Sequence, residues 1–432
     1  MSQPHPKRNR RSSRPWIVPP GLLLQSEPFE GFYVLDETRS ELGLLLWQSL
    51  RDVETWAMAP PGERAHLFNA GALRQRMERI EQELDADEAV RPLLEGLANL
   101  LAVPGRLTAN AVSELCEEIS RWASDAGLPR TALAFAIRSA MATPEEAGPA
   151  YLVGLIARRN ADCRRAEVWF RRALALARHN HDWRIYSMAH AGLAHIHMQR
   201  GHAPKARMRL LKALRAARRY GIWSVRSTVL HDLFCIAATG PDPRLAEQYA
   251  RAAFRSYGRR HIRLPVLAHD VARFWMSQGH YDLALATFQA VLPHLTRPPE
   301  YMLGLSNLAQ AAGGAGEAAT FTRAWTEVWR MIDEREDTER VPEALINLAY
   351  GAASLGQVVR MDMAASYALT IATRRNEMQE KVIAEQLLHT ARHSGRRGDP
   401  ELPPPQEPEP TVGTDGLAGE LVEALMETVV RS

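Results

Sequence analysis

Between residues 113 and 375 the apolar positions repeat in a three-part arrangement. Ala132, Ala166, Ala206, Ala246, Ala284, Phe321 and Met361 stand about 34 to 40 residues apart. Four residues past them come Ala136, Phe170, Leu210, Ala250, Phe288, Trp325 and Ala365, and seven past them Ser139, Ala173, Ala213, Ala253, Val291, Val328 and Ala368. Such a series is one face of an α-helix. Thirteen residues earlier lie Ile119, Val153, Leu193, Leu233, Val271, Leu308 and Leu348, which anchor a preceding helix. A turn separates the two, and "GHAPKARMRLLKAL" from Gly201 and "GHYDLALATFQAVLP" from Gly279 open it in the same way. The pattern predicts pairs of antiparallel helices. One pair cannot bury its apolar face alone, so neighbours must stack.

The flanks do not follow this frame. Residues 21–112 read as an N-terminal helical module, with a helix over 37–59, two more bending near Pro92, and Leu45, Leu46, Trp47 and Trp56 as core. Residues 1–20 are basic and proline-bearing and read as a disordered tail. Residues 376–396 form a capping helix with Val382, Ile383, Leu387 and Leu388 on one side. A Pro-rich linker follows over 397–416, then an acidic amphipathic helix over 417–432 with Leu417, Leu421, Leu425 and Val429 in one stripe. So short a helix is marginal in water by itself. It is expected to dock in the chain's own basic array or in a partner's groove; the plainer reading is an end helix that packs on the last repeat or stays disordered.

"MSQGHYDLALATFQAVLP", with Gly279, Tyr281, Ala284 and Phe288, resembles the tetratricopeptide repeat. The resemblance runs from about residue 113 to 375 and is to a degenerate form with a unit of about 40 residues, a type also met in bacterial signalling regulators. It implies an all-α, right-handed superhelix of about seven stacked antiparallel helix pairs, whose first helices line a concave groove that holds a peptide or protein segment. The groove positions it implies here are Glu117, Arg121, Tyr151, Arg158, His195, Met198, His231, His269, Arg273, Met276, Gln310 and Tyr350, with Cys235 and Ser306 beside them. Family members that clamp a terminal carboxylate use Asn and Lys at such places. Neither residue type occurs at these positions, so that clamp is not expected. Phe321 and Met361, where the other units carry alanine, are expected to widen the local helix spacing.

Composition narrows the reading. The chain has 432 residues, 46% of them hydrophobic and 24% charged, as in a folded water-soluble protein. No apolar run is long enough to span a membrane, and the basic N-terminus is a poor signal peptide because Pro19, Pro20 and Gly21 interrupt its apolar part. Cys116, Cys163 and Cys235 have no metal-ligand spacing and read as small buried hydrophobes in a reducing cytoplasm. Net charge is only +3, but residues 151–263 carry about 23 Arg and Lys against about six Asp and Glu. One explanation is a polyanionic partner. The other is GC-rich bacterial coding bias, since only Lys7, Lys205, Lys212 and Lys381 are lysine.

No phosphate loop, nucleophile elbow or dinucleotide fingerprint is present, and Gly313, Gly314 and Gly316 read as a repeat turn. His190 and His197 share a helical face, but the frame packs that face against the next helix, so neither a metal nor another cofactor is expected. The sequence therefore predicts a non-catalytic scaffold for a protein or peptide, acidic segments being favoured by charge. A nucleic-acid-associated regulator using the Arg-rich face of the second helices (Arg164, Arg171, Lys205, Arg207, Lys212, Arg255) is the second reading. A subunit that self-associates through its N-terminal helices is the third.

Overall fold

The computed structural model describes residues 32–69, 71–85, 88–104, 107–334, 340–394 and 414–429. The basic tail over 1–20 and the Pro-rich linker up to residue 413 lie outside the described residues. Among the described residues there are twenty α-helices and no strand. The chain divides into two compact units, residues 1–226 and 227–432.

The first unit holds α1 (Tyr33–Glu37), α2 (Glu41–Met58), α3 (Ala72–Glu83), α4 (Arg91–Ala102), α5 (Ala109–Asp125), α6 (Pro129–Ala142), α7 (Ala147–Arg159), α8 (Cys163–His179), α9 (Trp183–Gln199) and α10 (Ala203–Arg219). α11 (Trp223–Ala238) spans the division. From α5 onward the helices pair as α5 with α6, α7 with α8, and α9 with α10. The helix expected over 37–59 is broken after Glu37. The Glu37 carboxylate accepts hydrogen bonds from the Arg130 and Thr131 backbone N–H groups at 2.7 and 2.8 Å and from the Thr131 hydroxyl at 2.8 Å. These N–H groups open α6 and have no partner within their own helix, so a carboxylate there satisfies them and meets the positive end of the helix dipole. Trp56 is fully buried and donates its indole N–H to the Pro104 carbonyl at 2.7 Å, while Trp47 is half-buried and stacks on Phe32.

The second unit holds α12 (Pro243–Tyr257), α13 (Leu264–Ser277), α14 (Tyr281–Val291), α15 (Pro298–Gly314), α16 (Ala318–Glu334), α17 (Val341–Ser354), α18 (Val358–Arg375), α19 (Met378–Ser394) and α20 (Thr414–Val429). α13, α15, α17 and α19 pack side by side, and α14, α16 and α18 cover one side of that row.

In both units the residues at the repeated apolar positions are buried, from Ala132 to Met361 and from Ile119 to Leu348. The turns between paired helices pass through left-handed backbone, with φ of 72° at Gly201 and 81° at Gly279. Ala161 adopts the same conformation, φ 60°, at the equivalent place.

One expectation is corrected. Gly313 and Gly314 are not a turn but the last residues of α15. A Cβ on Gly313 would stand 2.3 Å from the Gly351 carbonyl oxygen, and one on Gly314 would stand 2.2 Å from the Tyr281 ring. Their glycines serve close helix packing. Phe321 stands opposite a glycine: a Cβ on Gly351 would lie 2.9 Å from the Phe321 ring and 2.8 Å from the Ala309 carbonyl oxygen, so the missing side chain of α17 makes room for the larger one of α16.

Candidate functional site

The twelve candidate residues all lie on the first helices of pairs. Glu117 and Arg121 stand on α5, Tyr151 and Arg158 on α7, and His195 and Met198 on α9. His231 stands on α11, His269, Arg273 and Met276 on α13, Gln310 on α15 and Tyr350 on α17.

In the first unit Glu117 lies 3.8 Å from Arg121 and accepts from the Ser139 hydroxyl at 3.5 Å. Burial raises the Glu117 pKa, and Arg121 and Ser139 only partly offset it. Tyr151 tilts against the buried Phe170 ring at 5.6 Å. Arg158, His195 and Met198 are half-buried. A separate cavity of about 650 Å³ opens between Tyr33, Arg130, Ile137, Arg159 and Arg165.

The second unit brings its candidates together. His231 Nε2 lies 2.9 Å from Asp270 Oδ2, and Cys235 Sγ lies 3.9 Å from the same oxygen. Asp270 Oδ1 lies 3.5 Å from His269 Nδ1. On its other side His269 Nε2 takes a hydrogen bond from Asn307 Nδ2 at 3.1 Å, which leaves the ring proton on Nδ1, facing Asp270. Asn347 Nδ2 then donates to Asn307 Oδ1 and to Ser306 Oγ, both at 3.1 Å. A polar ladder thus crosses four first helices in order, α11, α13, α15 and α17. Burial works against charge on Asp270, but hydrogen bonds from His231 and His269 outweigh it and hold the carboxyl well below the usual range. Burial, with Asp270 and Asp232 nearby, pushes the Cys235 thiol above its usual range.

The candidates differ in what they offer a ligand. His231, Met276 and Ser306 are buried and hold the wall from within. Arg273 and Tyr350 are exposed, and His269 and Gln310 half-buried. Arg273 reaches Glu343 of α17 only at 3.9 Å, while Glu343 makes a 2.8 Å pair with Arg340. Asp270, Asn307 and Asn347, the centre of the ladder, were not among the sequence candidates. Asp270 directly follows His269 in "LAHDVARF", the only local signal it carries.

The arginines of the second helices are partly engaged within the protein. Arg171 pairs with Glu167 at 2.5 Å, as does Arg200 just past the end of the first helix α9 at 2.7 Å, and Arg165 pairs with Asp162 at 3.2 Å. Arg172 is buried and donates to the Pro144 carbonyl at 2.6 Å. Arg164, Lys205, Arg207, Lys212, Arg215 and Arg255 are exposed.

α20 packs on α14, α12 and α13, burying Leu417, Ala418, Leu421, Ala424 and Leu425. His294 Nε2 meets the Leu425 carbonyl oxygen at 3.1 Å. Among the described residues no helix is long and apolar enough to cross a membrane.

No family model and no curated protein matches the chain. Among solved structures it is similar to BtubC from P. vanneervenii, at 19% identity over 51% of this chain and 92% of that one, TM-score 0.42. It is similar to the Cut9–Hcn1 hetero-tetramer of the APC/C, at 13% identity over 83% of this chain and 56% of that one, TM-score 0.46. It is also similar to yeast Tom70, at 14% identity over 86% of each chain, TM-score 0.41. Among the described residues the chain is all-α, built of stacked antiparallel helix pairs.

Proposed function

We propose that the chain is a non-catalytic binding scaffold that takes a protein or peptide segment on the open face of its first helices, as a regulatory adaptor would. The row His269, Arg273, Gln310 and Tyr350 on α13, α15 and α17 carries this reading. These side chains are wholly or partly open, and the part-buried polar ladder, in which His269 itself takes part, links the helices that present them. A backing already ordered before binding lowers the entropic cost of association. Arg273 keeps 49% of its side-chain surface and has no close partner in Glu343, which leaves its guanidinium able to grip a carboxylate through two parallel hydrogen bonds. Acidic segments are therefore favoured. The same chemistry operates within the molecule, where α20, an apolar stripe flanked by glutamates, sits on α12 and α14 beside Arg259. In this reading α20 is a tethered occupant of the chain's own surface.

Selection of short acidic peptides from a displayed library against the full chain tests the proposal. Binders should lose about tenfold in affinity, about 1.4 kcal/mol, with Arg273→Glu or Tyr350→Ala, and be indifferent to Arg215→Glu on α10. Binders indifferent to both first-helix substitutions would remove the reading. Retention on double-stranded DNA that falls steeply with salt and depends on Arg215 would instead favour the nucleic-acid alternative.

A further inference from the structure

His231 and Cys235 are one helical turn apart on α11 and so share a face. Asp270 on α13 meets them from the neighbouring helix. The ligand atoms of the three residues all lie within 4.8 Å of one another. We infer that His231 Nε2, Cys235 Sγ and Asp270 Oδ2 form a binding site for one borderline-soft divalent cation of the zinc type, with the fourth position left to water.

The distances fit this ion. Zinc bonds of about 2.0–2.1 Å to nitrogen, 2.3 Å to sulfur and 2.0–2.2 Å to oxygen, set tetrahedrally, separate N from O by about 3.3 Å and S from O by about 3.5 Å. The observed separations are 2.9 Å for His231 Nε2 to Asp270 Oδ2 and 3.9 Å for Cys235 Sγ to the same oxygen. Closing the site needs the imidazole to move out from Asp270 by a few tenths of an ångström and the thiol to swing inward by up to about 1 Å, since Cys235 Sγ lies within 4.8 Å of His231 Nε2 against about 3.6 Å in such a tetrahedron; a partial rotation about the Cys235 Cα–Cβ bond supplies that. The donor set chooses the ion: one nitrogen, one sulfur and one oxygen suit zinc or cobalt(II), whereas calcium and magnesium require oxygen ligands throughout.

Charge and protons balance. Binding releases the thiol proton of Cys235 to solvent, and the His231 ring proton moves from Nε2 to Nδ1 by exchange with water, so the ring stays neutral. The thiolate and the Asp270 carboxylate then offset the two positive charges. The outer contacts are those a metal site uses. His269 backs the free oxygen of Asp270 at 3.5 Å and is itself held by Asn307 at 3.1 Å, which fixes the carboxylate's orientation. The Phe234 and Tyr257 rings flank the His231 imidazole. The ladder described above would then couple the ion to the first-helix wall, although the metal site does not depend on what that wall binds.

Cobalt(II) titration of the full chain tests the site. One equivalent per chain should bind and give a thiolate-to-cobalt charge-transfer band with the intense visible bands of tetrahedral cobalt. The charge-transfer band should vanish in Cys235→Ser and persist in Cys163→Ser, the other partly exposed thiol. His269→Ala should weaken affinity about 10- to 100-fold and leave the band's position unchanged. In the unsubstituted chain, zinc should slow alkylation of Cys235, read by peptide mapping, and leave that of Cys163 unchanged; this readout holds even if Cys235→Ser fails to fold. Absence of the band in the unsubstituted chain, its survival in Cys235→Ser, or alkylation of Cys235 unaffected by zinc would overturn the site.

Discussion

Arg259, just beyond the end of α12, holds Glu427 of α20 at 2.6 Å across 168 positions of sequence, and the same nitrogen meets Glu423 at 3.1 Å. The pair is open to water, and exposed ion pairs contribute little because solvent screens them. The apolar stripe of α20 does most of the holding. Replacing a buried leucine by alanine ordinarily costs about 2–5 kcal/mol. If α20 detaches while α12 to α14 stay folded, the cost for Leu421 is capped at the free energy of seating α20. Leu421→Ala should therefore speed amide exchange over 417–429 more than it lowers the global melting temperature. Arg259→Ala should change both little at moderate salt. Equal acceleration by the two substitutions would assign the docking to charge instead.

The contact of Gly313 with Gly351 makes an opposite-signed prediction to ordinary helix propensity. Alanine is normally better than glycine inside a helix by about 0.8–1 kcal/mol. Gly351→Ala would place a Cβ 2.8 Å from the Ala309 carbonyl oxygen and 2.9 Å from the Phe321 ring, and the backbone atom cannot rotate away. The substitution should destabilise the second unit by about 1–3 kcal/mol in urea unfolding. Gly148→Ala, on α7 with nothing within 4 Å of its would-be Cβ, should be neutral or stabilising and serves as the control.

These glycines mark where the sequence could be read and where it could not. The small residues Ala132 to Ala284 were legible because helices meeting at one point in each pair impose a recurring demand for a small side chain. Gly313 was not, since glycine is used both where backbone turns and where backbones touch, and only the neighbouring helix tells the two apart. The twelve groove positions came from the resemblance's frame, and they fall on first helices. Asp270, Asn307 and Asn347 were not legible, because each is defined by the side chain opposite it on another helix, and no local pattern carries that register. The stripe of α20 was plain in the sequence, whereas its seat depends on where Arg259 and His294 lie in space.

His190 contributes to the pH response of the first unit. It is buried, packs edge-on against Tyr186, and neither ring nitrogen has a hydrogen-bond partner. Burial, with Arg209 and Lys212 close by, lowers its pKa from 6.5 to about 3. The unfolded chain therefore binds this proton more readily, and the stability linked to His190 is present above about pH 6.5 and lost as pH falls toward 3. Within that window the slope is up to about 1.4 kcal/mol per pH unit. His190→Leu should remove this slope, seen as a smaller loss of urea stability between pH 7 and pH 5 than in the parent chain. An unchanged slope would mean that the imidazole finds water or a partner in solution.

The ladder makes the last prediction. Asn307 is buried, donates to His269 and accepts from Asn347, so removing either neighbour strands part of its amide. A buried polar group left without its partner costs about 1–3 kcal/mol, while replacing both members of a pair by apolar groups costs less than the two single losses combined. Asn307→Leu and Asn347→Leu should each destabilise the chain, and the double variant should fall short of their sum by about 0.5–3 kcal/mol in a double-mutant cycle. Strict additivity would mean that the two amides do not interact and that packing alone aligns α15 with α17. A coupling term would show that the polar contacts set the register of the helices that carry Gln310 and Tyr350. Peptide affinity measured on the same four proteins should then fall in step with that term, because a wall free to slip must be ordered again each time it binds.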